Sequence, residues 1–227
     1  MLITYYGHSC FLLEVAGKKL LFDPFINGNE FAKGVDIDAL EADFILVSHG
    51  HSDHTGDLVY LAKKTGALVI ASWEITCWLE KQGVSFCHPM NIGGKRNFDF
   101  GELSMVYAAH SSSLADGTYA GTAVGFVIKY SGKTLYYSGD TGLNMEMKVT
   151  GERYDIDLAL LPIGGNFTMD AEDAAYAASR YLNCKRVVGL HYDTFGYIVI
   201  DAVQAKKEFE EKGISLILLK SGEKFTV

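Results

Sequence analysis

The run Phe44-Ile45-Leu46-Val47-Ser48-His49-Gly50-His51-Ser52-Asp53-His54 places three imidazoles and a carboxylate within six residues, directly behind an apolar segment. Capping a helix that begins near Gly56 needs one short polar side chain, Asp53 or Thr55, and gives no reason for three histidines. Histidine clusters of this density serve metal ligation. Where the chain leaves a strand and turns, His49 and His51, at i and i+2, reach one cation, and Asp53 and His54, at i+4 and i+5, reach a second. One loop therefore offers two ligand sets.

Outward from this loop, the apolar, β-branched and aromatic runs at 2–6, 10–15 and 19–22 are broken by Gly7 and Gly17-Lys18 and read as an antiparallel meander. Residues 44–47 form the next strand, and Leu58, Leu61 and Ala62 give helical spacing over 55–64. Further strands are expected at 67–71, 103–109, 122–130, 134–137, 157–161, 186–190 and 214–219, with helices at 73–81, 171–182 and 202–212. His110 stands at the end of the 103–109 run. The hairpin around Ser131-Gly132-Lys133 delivers Ser138-Gly139-Asp140-Thr141-Gly142. With no linker, repeat or low-complexity tract, residues 1–227 read as one α/β domain.

The chain has 227 residues, 48% of them apolar, which is enough to bury a sizeable core. A net charge of −8 and a pI of 5.3 oppose attraction to phosphate backbones, so no nucleic-acid partner is expected. The start lacks a signal-like apolar stretch, and no run approaches the roughly 20 residues that span a bilayer. A cytoplasmic protein without membrane association is expected, with a small-molecule substrate and assembly open to a homo-oligomer. Cys10, Cys77, Cys87 and Cys184 form no C-x-x-C pair and read as buried free thiols rather than zinc ligands.

His49-Gly50-His51-Ser52-Asp53-His54 resembles the H-x-H-x-D-H signature of the metallo-β-lactamase superfamily. His110, Asp140 and His191, the last after Val187-Val188-Gly189-Leu190, occupy that family's other stations in order. The resemblance spans nearly the whole chain and implies a four-layer αββα sandwich. It also implies one metal held by His49, His51 and His110, a second by Asp53, His54 and His191, and Asp140 bridging them. Gly7-His8-Ser9-Cys10-Phe11, Asp23-Pro24-Phe25-Ile26, Leu161-Pro162-Ile163-Gly164-Gly165 and His191-Tyr192-Asp193-Thr194-Phe195 look most like a branch of metal-dependent hydrolases near the ascorbate-6-phosphate lactonase-like proteins. Gly196 departs from that pattern, which implies proline there.

The activity so implied is hydrolysis of a small ester, lactone or phosphorylated metabolite by a hydroxide bridging two divalent ions. Zinc is the first choice, with manganese, iron or nickel open to the same nitrogen and carboxylate ligands. Asp53 would be both ligand and catalytic carboxylate. The resemblance places His8 at the pocket rim, where it would bind a substrate oxygen or donate a proton. Asn166 is a candidate for substrate binding and Thr168 for helix capping. Asp57 suits either the dipole of a helix N-terminus or a hydrogen bond to a ligating histidine, and His88 reads as an ordinary histidine. The alternatives are a phosphodiesterase or nuclease of the same fold, disfavoured by the acidic balance, and a non-catalytic metal-dependent sensor, disfavoured by the intact ligand set.

Overall fold

The computed structural model describes all 227 residues. Strands β1 (Leu2–Gly7), β2 (Cys10–Val15), β3 (Lys18–Phe22), β4 (Phe44–Leu46), β5 (Leu68–Ser72) and β6 (Cys87–Met90) build the first sheet. Strands β7 (Lys95–Phe98), β8 (Gly101–Tyr107), β9 (Val124–Tyr130), β10 (Lys133–Tyr137), β11 (Leu158–Pro162), β12 (Arg186–Leu190) and β13 (Ser215–Ile217) build the second. The last strand, β14 (Lys224–Thr226), returns to the first sheet beside β1. The orders are β14-β1-β2-β3-β4-β5-β6 and β13-β12-β11-β10-β9-β8-β7. Both sheets change from antiparallel to parallel pairing, the first at β3 and the second at β10.

Period-two alternation explains the layering. Phe11, Leu13 and Val15 of β2 and Leu20 and Phe22 of β3 face inward, where they meet Phe126 and Ile128 of β9 and Leu158 and Leu160 of β11. Cys10, Leu12 and Leu21 face the other way, against Leu58, Leu61, Ile75 and Leu79 of the helices that follow β4 and β5. The outer face of the second sheet, with Tyr136, Ala159 and Val187, packs on Met147, Ala174 and Phe209 of the later helices. The helices are α1 (Ser52–Thr55), α2 (Leu58–Thr65), α3 (Trp73–Lys81), α4 (Glu146–Arg153), α5 (Ala171–Tyr176) and α6 (Ala202–Glu210). These three apolar clusters make a four-layer αββα sandwich. No helix is long and apolar enough to cross a membrane.

Several local expectations are corrected. The helix expected over 55–64 is α2, which starts later, at Leu58, and runs to Thr65, and a separate one-turn helix, α1, precedes it over Ser52–Thr55. Neither Asp53 nor Thr55 caps α2: its N-cap is Asp57, which makes no side-chain cap hydrogen bond. The 171–182 helix tightens only as far as Tyr176 and continues as a π-helical turn, Ala177–Tyr181. Its N-cap is Asp170, which accepts from Asp173 N, whereas Thr168 Oγ1 bonds Met169 O.

Candidate metal centre

The site lies where the parallel strands end, the usual place for ligands in sheets of this kind. β4 runs into His49, β10 into Asp140 and β12 into His191, while β8 delivers His110 and β3 delivers Asp23. Hydrogen bonds lock these ends together. Ala109 N donates to Thr141 Oγ1 at 2.9 Å and Gly142 N to Ala109 O at 3.1 Å, which fixes the loop of His110 against that of Asp140. His191 N donates to His8 O at 3.1 Å, joining the ends of β12 and β1. Gly50 explains its own place between two histidines: a Cβ there would fall 2.4 Å from the Ala120 Cβ and 3.0 Å from the Ser113 backbone.

His49, His51 and His110 come together, with ligand atoms within 4.8 Å of one another, and His49 Nε2 lies 3.0 Å from His51 Nδ1. Asp53, His54 and His191 form a second group with His8. Asp140 stands between the two. Its Oδ2 is 2.8 Å from His191 Nε2, 3.3 Å from His54 Nε2 and 3.8 Å from His110 Nε2.

Burial and charge shape these groups unequally. Burial pushes His49 well below the ordinary imidazole value and also lowers His51 and His110, which keeps them neutral, as metal ligands must be. Burial is the largest single influence on His54 and His191 and opposes their charge, but the carboxylates around them, Asp140 with Asp23 or Asp53, together overcome it. His54, also facing Asp23, is raised well above its ordinary value and His191 to about 9. Burial likewise opposes charge on Asp140 and Asp53, yet the neighbouring histidines hold both carboxyls below the usual range. Two largely buried carboxylates therefore demand compensating positive charge, which the protein's own groups supply only by protonating His54 and His191. Divalent cations would meet the same demand.

The buried atoms fit such ions. His54 Nε2 and Asp140 Oδ1 are buried and have no hydrogen-bond partner, a costly state for polar atoms unless a ligand completes them. The other nitrogen of His54 is committed: Nδ1–H donates to Asp23 Oδ2 at 2.8 Å, which turns the Nε2 lone pair towards the site. His49 is oriented through Ser48, whose hydroxyl lies 3.0 Å from His49 Nδ1 and donates to Asp23 Oδ2 at 2.5 Å. Tyr137 OH also donates to Asp23 Oδ2 at 2.5 Å. The sequence reading missed Asp23, Ser48 and Tyr137. Asp23 was visible only as part of the quoted Asp23-Pro24 segment. The carboxylate role considered for Asp57 falls to Asp23 instead, since Asp57 accepts from Ile26 N, Asn27 N and Asn27 Nδ2 and so braces the 25–29 loop.

Comparisons with known proteins give the family. A family model described as a β-lactamase superfamily domain matches residues 2–191. The UPF0173 metal-dependent hydrolase of Methylacidiphilum infernorum is 53% identical over 223 residues, 98% of each chain. The chain belongs to this family of metal-dependent hydrolases. A second member of the family, from Flavobacterium johnsoniae, is 48% identical over 98% of both chains. Among solved structures, the metallo hydrolase Igni18 of Ignicoccus hospitalis superposes on the hydrolase with a TM-score of 0.89 at 35% identity, covering 100% of this chain and 98% of its own.

In this hydrolase the two residues expected to touch substrate are placed differently from the sequence reading. His8 is not at a rim. It is 1% exposed, its Nε2 lies 3.0 Å from Asp53 Oδ2 and its Nδ1 3.0 Å from Thr194 Oγ1. Burial pushes it down to about 4, so the ring is neutral. The consistent tautomer carries the proton on Nε2, donates it to Asp53 and accepts from the Thr194 hydroxyl. His8, Asp23 and His191 all adopt left-handed backbone conformations, with φ of 56°, 40° and 53°. Such strain gathers where the surrounding structure holds a site in place. Asn166, also left-handed at φ 55°, is exposed and lies outside the cavity lining, which its neighbour Phe167 reaches.

His8→Ala is expected to lower kcat about 10- to 100-fold with little change in KM, as loss of a partner that orients a ligand does. It should also weaken zinc binding, because Asp53 loses the imidazole that holds it. His8→Gln, which keeps a donor near Asp53, should recover part of the loss. Unchanged kcat and metal affinity in His8→Ala would reduce His8 to a packing residue.

Proposed function

We propose that the hydrolase holds two divalent ions, most suitably zinc, and cleaves a carboxylic ester or lactone of a small molecule. The observation that carries this reading is Asp140, whose Oδ2 stands within 4 Å of histidines from both ligand groups, a position suited to bridging. The donors are imidazole and carboxylate with no thiolate, a set that suits zinc and leaves manganese, iron and nickel as competitors. His49, His51 and His110 would hold one ion and Asp53, His54 and His191 the other. Ions so held supply an activated water near neutral pH and polarise the group under attack.

The protein's own groups complete the chemistry. Asp53 lines the cavity with its side chain 24% exposed and its Oδ2 held by His8. It is placed to accept a hydrogen bond from the attacking water and orient it, a role that suits a carboxyl held below the usual range. Burial of His49, His54 and Asp140 beneath the cavity excludes bulk water from the ligand side. The cavity measures about 790 Å³, a volume for a metabolite-sized ligand rather than a polymer. The net charge of −8 agrees with a partner other than nucleic acid.

A panel of lactones, carboxylic esters, thioesters and phosphodiesters presented to zinc-loaded protein tests the reading. Turnover of lactones or esters, lost with a chelator and restored by zinc, is expected. Preferential cleavage of phosphodiesters would replace this reading by the nuclease or phosphodiesterase alternative, and no turnover with any class would favour the non-catalytic one.

A further inference from the structure

The walls of the cavity above the candidate ligands have a composition that bears on substrate choice. Among its twelve lining residues there is no lysine or arginine, while three are aromatic: Phe167, Phe195 and Tyr197. An anionic group on the non-reacting part of a substrate, held out at the aromatic wall away from the ligand cluster, would find no lysine or arginine to pair with. Such a charge would lose water without gaining a partner.

The rings, by contrast, are set out for contact. Phe167 is 52% exposed and Tyr197 78%, and their centroids stand 6.1 Å apart in an edge-on arrangement. Phe195 continues the wall inward, edge-on to His8 at 5.3 Å. Exposed apolar surface bordering a polar cavity commonly marks where a ligand completes the packing.

Both ring-bearing loops are braced by hydrogen bonds. Gly165 N donates to Met169 O at 3.0 Å and Met169 N to Thr141 O at 2.9 Å, tying the loop of Phe167 to the strand end that carries Asp140. Asp193 N donates to Ile198 O at 2.8 Å, and Asp193 Oδ1 accepts from Ile200 N at 2.9 Å, closing the loop that carries Phe195 and Tyr197. Loops braced in this way present their rings to a partner with little further loss of backbone entropy. A Cβ built on Gly196, between Phe195 and Tyr197, meets nothing within 4 Å, so no side chain narrows the mouth at that position.

Resting on the hydrolytic reading above, we propose that the substrate is an uncharged ester or lactone bearing an aromatic ring, which packs against Phe167 and Tyr197 while its carbonyl reaches the ligand cluster. Phosphorylated metabolites are thereby disfavoured.

Two measurements on the zinc-loaded protein test this, the first of them independent of turnover. The first is calorimetric binding of 2-tetralone, a neutral bicyclic ketone that cannot be hydrolysed, against cyclohexanone, which lacks the aromatic ring. 2-Tetralone should bind about tenfold more tightly or better, and Phe167→Ala and Tyr197→Ala should each cut that margin about three- to tenfold without altering cyclohexanone. The second compares kcat/KM for dihydrocoumarin, δ-valerolactone and 6-phosphoglucono-δ-lactone, with dihydrocoumarin expected to lead. Equal binding of the two ketones, ring variants that weaken both alike, or preference for the phosphorylated lactone would overturn the proposal. Selective 2-tetralone binding without hydrolysis of any lactone would support the aromatic subsite and count against the hydrolytic reading instead.

Discussion

Asp140→Ala is expected to lower kcat/KM roughly a thousandfold or more. Residues that merely hydrogen-bond a metal ligand are typically worth ten- to a hundredfold, and Asp140 faces both ligand groups directly. Its carboxylate is 2% exposed and lies close to His54, His110 and His191 at once, so no neighbour can take its place. KM should change less than kcat, because the aromatic wall that receives the rest of the substrate is left intact. Asp140→Asn should retain the fold and most of the shape of the site yet remain severely impaired, since its neutral amide lacks the carboxylate's charge. Single-turnover kinetics with equal enzyme and substrate would separate a lost chemical step from slow binding. Activity within tenfold of the wild type in Asp140→Ala would remove it from the centre.

The second large effect is expected at Asp23, which is fully buried and accepts from Ser48 N, Ser48 Oγ, His54 Nδ1 and Tyr137 OH. Asp23→Ala leaves these donors facing a void. At about 1–3 kcal/mol for each buried group without a partner, with some relief by rearrangement, a loss of about 3–5 kcal/mol of stability is expected. Such a loss can exceed what a marginally stable chain tolerates. Asp23→Asn is the informative variant because it keeps the volume. It should fold, unfold in denaturant at a modestly lower midpoint, and bind zinc about 10- to 100-fold more weakly, because the His54 imidazole loses the carboxylate that fixes its tautomer. Wild-type zinc affinity in Asp23→Asn, measured by chelator competition, would contradict this role.

The sequence made the layered fold legible wherever a strand alternates or runs continuously apolar. β2, β3, β9, β11 and β12 lie close to the runs read for them because each supplies side chains to apolar clusters. β6 and β7 were not legible. Cys87-His88-Pro89-Met90 contains a proline and is mostly not buried, and Lys95-Arg96-Asn97-Phe98 is almost wholly exposed, so neither edge strand carries a hydrophobic period. β14, a three-residue edge strand, has too little sequence for any pattern. α4 hid behind Gly151, a residue that argues against a helix. It stands there because a Cβ would fall 2.0 Å from Tyr181 O, where α4 crosses the π-helical turn.

The candidate site divides along the same line. Residues clustered in sequence or standing at strand ends were nameable, and the structure brings six of the seven into two adjoining groups with Asp140 between them. What sequence could not disclose was direction. His8 looks like a rim residue until its two nitrogens are seen to be taken by Asp53 and Thr194. Asp23 looks like an ordinary turn aspartate until donors from β10, from the loop after β4 and from α1 converge on it. Both roles depend on contacts between segments far apart in the chain, 45 residues for His8 with Asp53 and 114 for Tyr137 with Asp23.

The central claim is that seven residues hold two ions in adjoining sites, and elemental analysis of purified protein equilibrated with zinc tests it most directly. The wild type should carry two ions per chain, His49→Ala/His51→Ala should lose the ion assigned to that group, and Asp140→Ala should weaken both. A double variant lacking His49 and His51 that still binds two ions with wild-type affinity would contradict the account.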